Sequence, residues 1–110
     1  MILRDWGATA TPEGAGEYAR HFTGAVLPRL RTLPGFHSAF LLTRTDARLV
    51  RIRVLTVWES YAAVRALTGP DTAVAAVEPE ARSVLLDYDR TVEHFEIADL
   101  PPAAGAPGPG

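Results

Sequence analysis

Apolar and polar residues alternate in several short runs along this chain, and between those runs apolar residues recur every three or four positions. The most sharply patterned run is Val54-Leu55-Thr56-Val57-Trp58-Glu59-Ser60. Alternation puts Val54, Thr56 and Trp58 on one face of a strand and Leu55 and Val57 on the other. Both faces are largely apolar, so the strand is expected to be central and covered on both sides. Ser60 then reads as the N-cap of a helix over residues 61–68, closed by Gly69 with Pro70 behind it.

The remaining pattern falls around that strand. Ile2 to Ala8 reads as a first strand, with Ile2, Arg4 and Trp6 on one face. Thr11-Pro12-Glu13 signals a helix start, and Ala15, Tyr18, Ala19, Phe22, Val26 and Leu30 form an apolar stripe down to about Arg31. Pro28 cannot donate to the Gly24 carbonyl, which predicts a kink or break there. Leu33-Pro34-Gly35-Phe36 reads as a turn with an aromatic plug. His37 to Arg44 is a second strand, with Ser38, Phe40 and Leu42 on one face and His37, Ala39 and Leu41 on the other. The polar Thr45-Asp46-Ala47-Arg48 joins it to the strand over residues 49–59 as a hairpin. Asp71 to Val77 is expected to form a helical turn or short helix. A helix from Pro79 follows, with Ala81, Val84, Leu85 and Tyr88 as its stripe, and Arg90 to Ala98 is the closing strand. Residues 99–110 are Pro-, Ala- and Gly-rich and predict a flexible tail after a single domain of residues 1–98.

The order β-α-β-β-α-β predicts an α+β, ferredoxin-like fold with a four-stranded antiparallel sheet and helices on one face. The other face, expected to carry Leu3, Leu41, Leu55 and Val57, is too apolar for water. A second copy of the chain, packed sheet to sheet, is the simplest cover, so a homodimer is expected.

Composition narrows the chemistry. The 110 residues carry a net charge of −2 and no Cys, Lys, Asn or Gln; all eleven basic residues are Arg. Disulfides, thiolate nucleophiles, Schiff-base lysines and side-chain carboxamide donors are thereby excluded. No basic stripe suggests nucleic acid, and no run approaches a membrane span. With no recognisable signal peptide, a cytoplasmic protein is the expectation. Acid–base work must fall to His21, His37, His94, carboxylates or tyrosines. The three histidines lack metal-ligand spacing, so no metal is expected.

Four segments together carry a family likeness: Leu33-Pro34-Gly35-Phe36, Leu55-Thr56-Val57-Trp58-Glu59-Ser60, Asp71 with Val77-Glu78-Pro79-Glu80-Ala81-Arg82, and His94-Phe95-Glu96. Over residues 1–98 the chain resembles the antibiotic biosynthesis monooxygenase (ABM) domain family, which implies a dimeric α+β barrel. Some members of that family oxygenate aromatic polyketides with O₂ and neither metal nor flavin; others degrade heme; relatives act as cyclases or isomerases. Trp58 matches the strand Trp at the polyketide pocket, while the Asn four residues earlier is here Val54. The first-strand Asn of the heme degraders matches Trp6, and their axial His falls near Val77, which cannot ligate iron.

The resemblance therefore implies a small cofactor-independent monooxygenase acting on an aromatic, polyketide-like metabolite of secondary metabolism. A non-oxidative cyclase or isomerase and a non-catalytic binding dimer are the alternatives. Such an oxygenase needs a dry aromatic pocket, a base, and donors for the developing anion. His94, Trp58 and His37 are the expected catalytic residues. Arg4, Trp6, Tyr18, His21, Phe22 and Phe40 are the expected substrate contacts. Arg51 and Arg53 are expected to make ion pairs between subunits, and Glu78, Glu80 and Arg82 to form a solvated helix start.

Overall fold

The computed structural model describes residues 1–99, so the tail expected over residues 99–110 lies, Asp99 apart, outside the described residues. Strand β1 (Ile2–Ala10) leads into a helix built in three parts: α1 (Pro12–His21), a π-helical turn (Phe22–Val26) and α2 (Leu27–Leu30). The hairpin β2 (Phe36–Asp46) and β3 (Leu49–Trp58) follows, then α3 (Tyr61–Thr68), α4 (Pro79–Arg82), β4 (Asp87–Tyr88) and β5 (Glu93–Glu96). The sheet runs β2-β3-β1-β4, all antiparallel, with β5 also on β1. This is the ferredoxin-like arrangement that the pattern implied.

Local chemistry explains each boundary. The Thr11 hydroxyl accepts from the Gly14 N–H, and Pro12 occupies the first turn of α1. The expected break at Gly24 and Pro28 takes the form of the π-turn: with no N–H at Pro28, the ladder slips to the wider spacing and the Leu27 N–H returns to the Phe22 carbonyl. In the second turn, Gly35 has φ 83°, and a Cβ there would come within 2.5 Å of the Ala63 Cβ. The Gly35 carbonyl accepts from the Glu59 N–H at 2.9 Å, and the Phe36 ring meets the Trp58 indole edge-on, 5.3 Å between centroids. The Ser60 hydroxyl then accepts from the Ala63 N–H and starts α3.

Two expectations for the second crossover fail. No helix forms over residues 71–77; Ala73 and Ala75 bond instead to the chain at Val92 and Arg90. The helix from Pro79 ends at Arg82, because the edge of β1 takes the backbone that would have continued it. The Leu86 N–H donates to the Thr9 carbonyl, and Tyr88 pairs with Ala8. The fourth strand is consequently split. At Arg90–Val92 the chain leaves β1 to bond residues 73–75, and it returns as β5.

The register assigns every side chain to a face. Ile2, Arg4, Trp6, Ala8 and Ala10 of β1 and Val50, Ile52, Val54, Thr56 and Trp58 of β3 lie under the helices and are all buried. A bulge between Phe36 and Ser38 sets β2, so that Ala39 and Leu41 also face the helices while Phe40 and Leu42 face away. Leu41 was expected on the open face and is not there. That face carries Leu3, Phe40, Leu42, Leu55, Val57 and Phe95. Arg53 on the same face pairs within the chain, its Nη2 2.6 Å from Asp5 Oδ1, rather than awaiting another subunit.

Candidate functional site

Two buried clusters make up the core. One gathers Trp6, Tyr18, Phe22, Val54 and Val92 under α1; the other gathers Ile2, Leu30, Trp58 and Val64 under α2 and α3. They do not close completely against each other. A cavity of about 90 Å³ lies along the seam between helix and sheet. Its walls are Trp6, Tyr18, Phe22, Val26, Leu30, Val54 and Leu67, with Ala76, Val77 and Glu78 of the strap before α4 at the mouth. The π-turn supplies Phe22 and Val26, so the irregularity in the helix falls where the wall must bend.

Polar groups on this apolar wall are few. Arg4 is 5% exposed, yet no carboxylate among the described residues pairs with it. Its guanidinium donates instead to the carbonyls of Thr72 (2.6 Å) and Val74 (2.9 Å) and to His94 Nε2 (3.2 Å). Burial pushes Arg4 down to about 10, so it remains charged at neutral pH. Because a guanidinium only donates, the His94 imidazole must accept, with its proton on Nδ1. Partial burial, and then the neighbouring Arg4 charge, push His94 below the ordinary imidazole value. Burial and the negative charge of Glu78 push the Tyr18 phenol well up, so its hydroxyl stays neutral and able to donate. His21 Nε2 is buried without a hydrogen-bond partner, 3.7 Å from Glu78 Oε2, and Arg29 reaches the other Glu78 oxygen at 3.4 Å.

The sequence-predicted residues divide accordingly. Arg4, Trp6, Tyr18, His21 and Phe22 come together around the cavity. His94 stands one residue behind the wall, touching Arg4 and, at 5.4 Å between ring centroids, Tyr61. Its neighbour Phe95 faces the open side, so His94 itself looks toward the helices. Trp58 does not reach the cavity. Its indole is fully buried against Phe36 and Val64 and donates to the Thr56 hydroxyl at 2.8 Å, and it is Thr56 that lines the wall. Phe40 is 51% exposed on the opposite face of the sheet, put there by the β2 bulge. His37 is exposed at the same bulge, its Nδ1 3.0 Å from Ser38 Oγ. Neither lines the cavity. Glu78 and Arg29 were missed as site residues. Glu78, expected in a solvated helix start, is half-buried at the mouth. A carboxylate directly before Pro79 was the available signal, and it reads equally as an ordinary first-turn acid.

Among the described residues no three His, Asp or Glu side chains gather as a metal centre requires, and no helix is long and apolar enough to cross a membrane.

The chain shares its ferredoxin-like fold with solved structures of ABM-type proteins. No family model and no curated protein matches the sequence. Solved structures do. One, from Bacillus cereus and assigned provisionally as an antibiotic biosynthesis monooxygenase, is 16% identical, with a TM-score of 0.63 over 91% of this chain and 97% of that one. The monooxygenase from the gene ActVA-Orf6 of Streptomyces coelicolor, solved with nanaomycin D, is 21% identical, with a TM-score of 0.63 over 91% of each chain. The heme degrader MhuD of Mycobacterium tuberculosis, solved with two hemes in its active site, is 27% identical, with a TM-score of 0.59 over 92% of this chain and all of that one.

Proposed function

We propose that the chain is a cofactor-independent oxygenase of a hydroxylated, polyketide-like aromatic, working as a homodimer in secondary metabolism. The observation that carries this reading is a buried guanidinium with no carboxylate partner, on the wall of a cavity otherwise built from Trp6, Tyr18, Phe22 and aliphatic side chains. A buried cation held only by two carbonyls and an imidazole favours a ligand that carries or develops negative charge. An aromatic phenol or enol does so on losing its proton.

The residues suit the demands of the reaction. Deprotonation makes an electron-rich anion that can pass an electron to O₂ without a metal or flavin. For an activated methylene the overall change is R₂CH₂ + O₂ → R₂C=O + H₂O. One oxygen atom enters the product, and the other leaves as water with the two displaced hydrogens. Arg4 stabilises the anion, Tyr18 donates to it, and the apolar wall excludes water. The cavity is smaller than the ~150 Å³ that holds benzene, so a fused-ring substrate must displace the rim at Ala76 to Glu78. Apart from Val92, that rim is the part of the wall outside any helix or strand.

Val77 on the cavity wall offers no donor to a heme iron, and a cavity of about 90 Å³ is far smaller than a porphyrin. The nanaomycin complex of the Streptomyces neighbour lends support to an aromatic ligand in this fold.

The test is O₂ consumption by the pure protein with an anthrone-type hydroxyaromatic. Turnover that consumes one O₂ per quinone formed, and that drops at least about tenfold in Tyr18→Phe, supports the oxygenase. Product formed without O₂ uptake assigns the same cavity to cyclisation or isomerisation. Tight binding with no product leaves a binding protein.

A further inference from the structure

We infer that His21, with Glu78 as its counter-charge, is the proton acceptor of this cavity, and that its partner is the acidic hydroxyl of a phenol or enol. The inference rests on the cavity reading above and adds to it the identity of the base.

Three observations converge on His21. Its Nε2 is buried and has no hydrogen-bond partner among the described residues, and the residue lines the cavity. A buried polar nitrogen left unpaired is destabilising, so such an atom in a cavity-lining residue points to an absent partner, which it meets once the side chain turns toward the cavity. Glu78 Oε2 stands 3.7 Å from that same nitrogen. The distance is too long for a good hydrogen bond, yet it sets a carboxylate beside the nitrogen that would take the proton. Tyr18, one helical turn earlier, presents a hydroxyl kept neutral by burial and by Glu78, so the site pairs an acceptor with a neutral donor. The proton movement balances simply. The ligand O–H bond breaks, an N–H bond forms on His21, and the ligand anion remains beside Arg4.

The other histidines cannot fill this role. His94 Nε2 already accepts from Arg4, and that fixed cation opposes a second positive charge beside it. His37 is exposed on the far side of the β2 bulge. The charged or titratable groups around His21 are Tyr18 from its own helix, Glu78 from the strap with Arg29 behind it, and Arg4 from β1.

The experiment uses para-nitrophenol, whose phenolate absorbs visible light, at a pH where the free probe is mostly protonated. Wild-type protein is expected to bind it saturably and to show the phenolate band. His21→Phe keeps the wall apolar and Arg4 in place. It is expected to bind within about threefold of wild type but to show a phenolate fraction at least about fivefold lower, with His21→Gln as the check on packing. Glu78→Gln is expected to fall between the two. An equal band in wild type and His21→Phe would assign the ionisation to Arg4 and overturn the inference, as would absence of saturable binding or equal loss of the band in His94→Gln. O₂ uptake that persists in His21→Phe would also overturn it while leaving the oxygenase reading intact. A His21-dependent band without O₂ uptake in wild type would do the reverse.

Discussion

Trp58 and Ala47 show how differently a single position can weigh on this molecule. Trp58 has the largest of the fully buried side chains, and its indole N–H is the partner of the Thr56 hydroxyl. Trp58→Phe is expected to destabilise the fold by about 2–3 kcal/mol, through the void left behind and the buried hydroxyl stripped of its donor. Because the indole does not line the cavity, binding of para-nitrophenol is expected to stay within about threefold of wild type. Urea unfolding and a binding titration on the same variant check both halves, and a large loss of affinity at unchanged stability would restore Trp58 to the site. Ala47 sits at the tip of the β2–β3 hairpin with φ 57°, a left-handed conformation in which its Cβ is crowded. Ala47→Gly is expected to raise stability by about 0.5–1 kcal/mol, visible as a higher urea midpoint at unchanged slope.

Between elements, the strap joining α3 to α4 is tied by backbone bonds to Arg90 and Val92 and, from the sheet, by one side chain. Arg4 bonds the carbonyls of Thr72 and Val74, and His94 completes the arrangement by accepting from Arg4. Protonating His94 removes that acceptor and sets two cations in contact. The folded state therefore binds this proton less readily than the unfolded chain, and the unfolded state carries more protons once the pH falls below the ordinary imidazole value of 6.5. The contribution is fully present above that value and is lost as the pH drops beneath it. A falling thermal midpoint between about pH 7.5 and about pH 5.5 is expected, with a smaller fall in His94→Gln, which keeps an acceptor without the charge. Equal slopes would separate His94 from the strap.

Elements also explain what could be read in advance. Strands and helices with a clean period, such as β3 or α1, were legible because burial on one face selects that period. The break at Pro28 was legible because a missing N–H has a local consequence. The second crossover was not, since residues 71–77 carry helix-compatible composition and the bonds that decide them come from Arg4, Arg90 and Val92, far away in the chain. Phe40 was placed in the pocket because alternation separates two faces without saying which is inward; the bulge at Phe36 and Ser38 decides that. Two of the four segments behind the family resemblance turn out to be one packing unit. Gly35, Phe36, Trp58, Glu59 and Ser60 join the turn to the end of β3 and the start of α3. Such a unit reports the fold more directly than the reaction, and the Trp58 indole at its centre does not line the cavity.

At the scale of the whole molecule, the two faces of the sheet have unequal fates. Under the helices, aromatic and aliphatic side chains close around one small cavity. On the other face Phe40, Leu42 and Phe95 stand about half exposed beside Leu3 and Leu55, and no described element covers them. A contiguous apolar face of this kind favours association over solvation. With Arg53 and Asp5 already paired to each other, Arg44 and Arg51 on one side and Glu93 on the other can be self-complementary across a two-fold axis. Sheet-to-sheet packing of two copies would also clamp β1 and β3 from behind, and with them Arg4 and Trp6 at the wall of the cavity. Leu55→Glu places a carboxylate in the middle of that face without touching the helix side. It is expected to convert a dimer into a monomer in sedimentation experiments, with secondary structure retained. If the wild-type protein sediments as a monomer, the apolar face must serve another partner. If Leu55→Glu remains dimeric, the copies must meet elsewhere, and the cavity must then hold its shape without support from a second sheet.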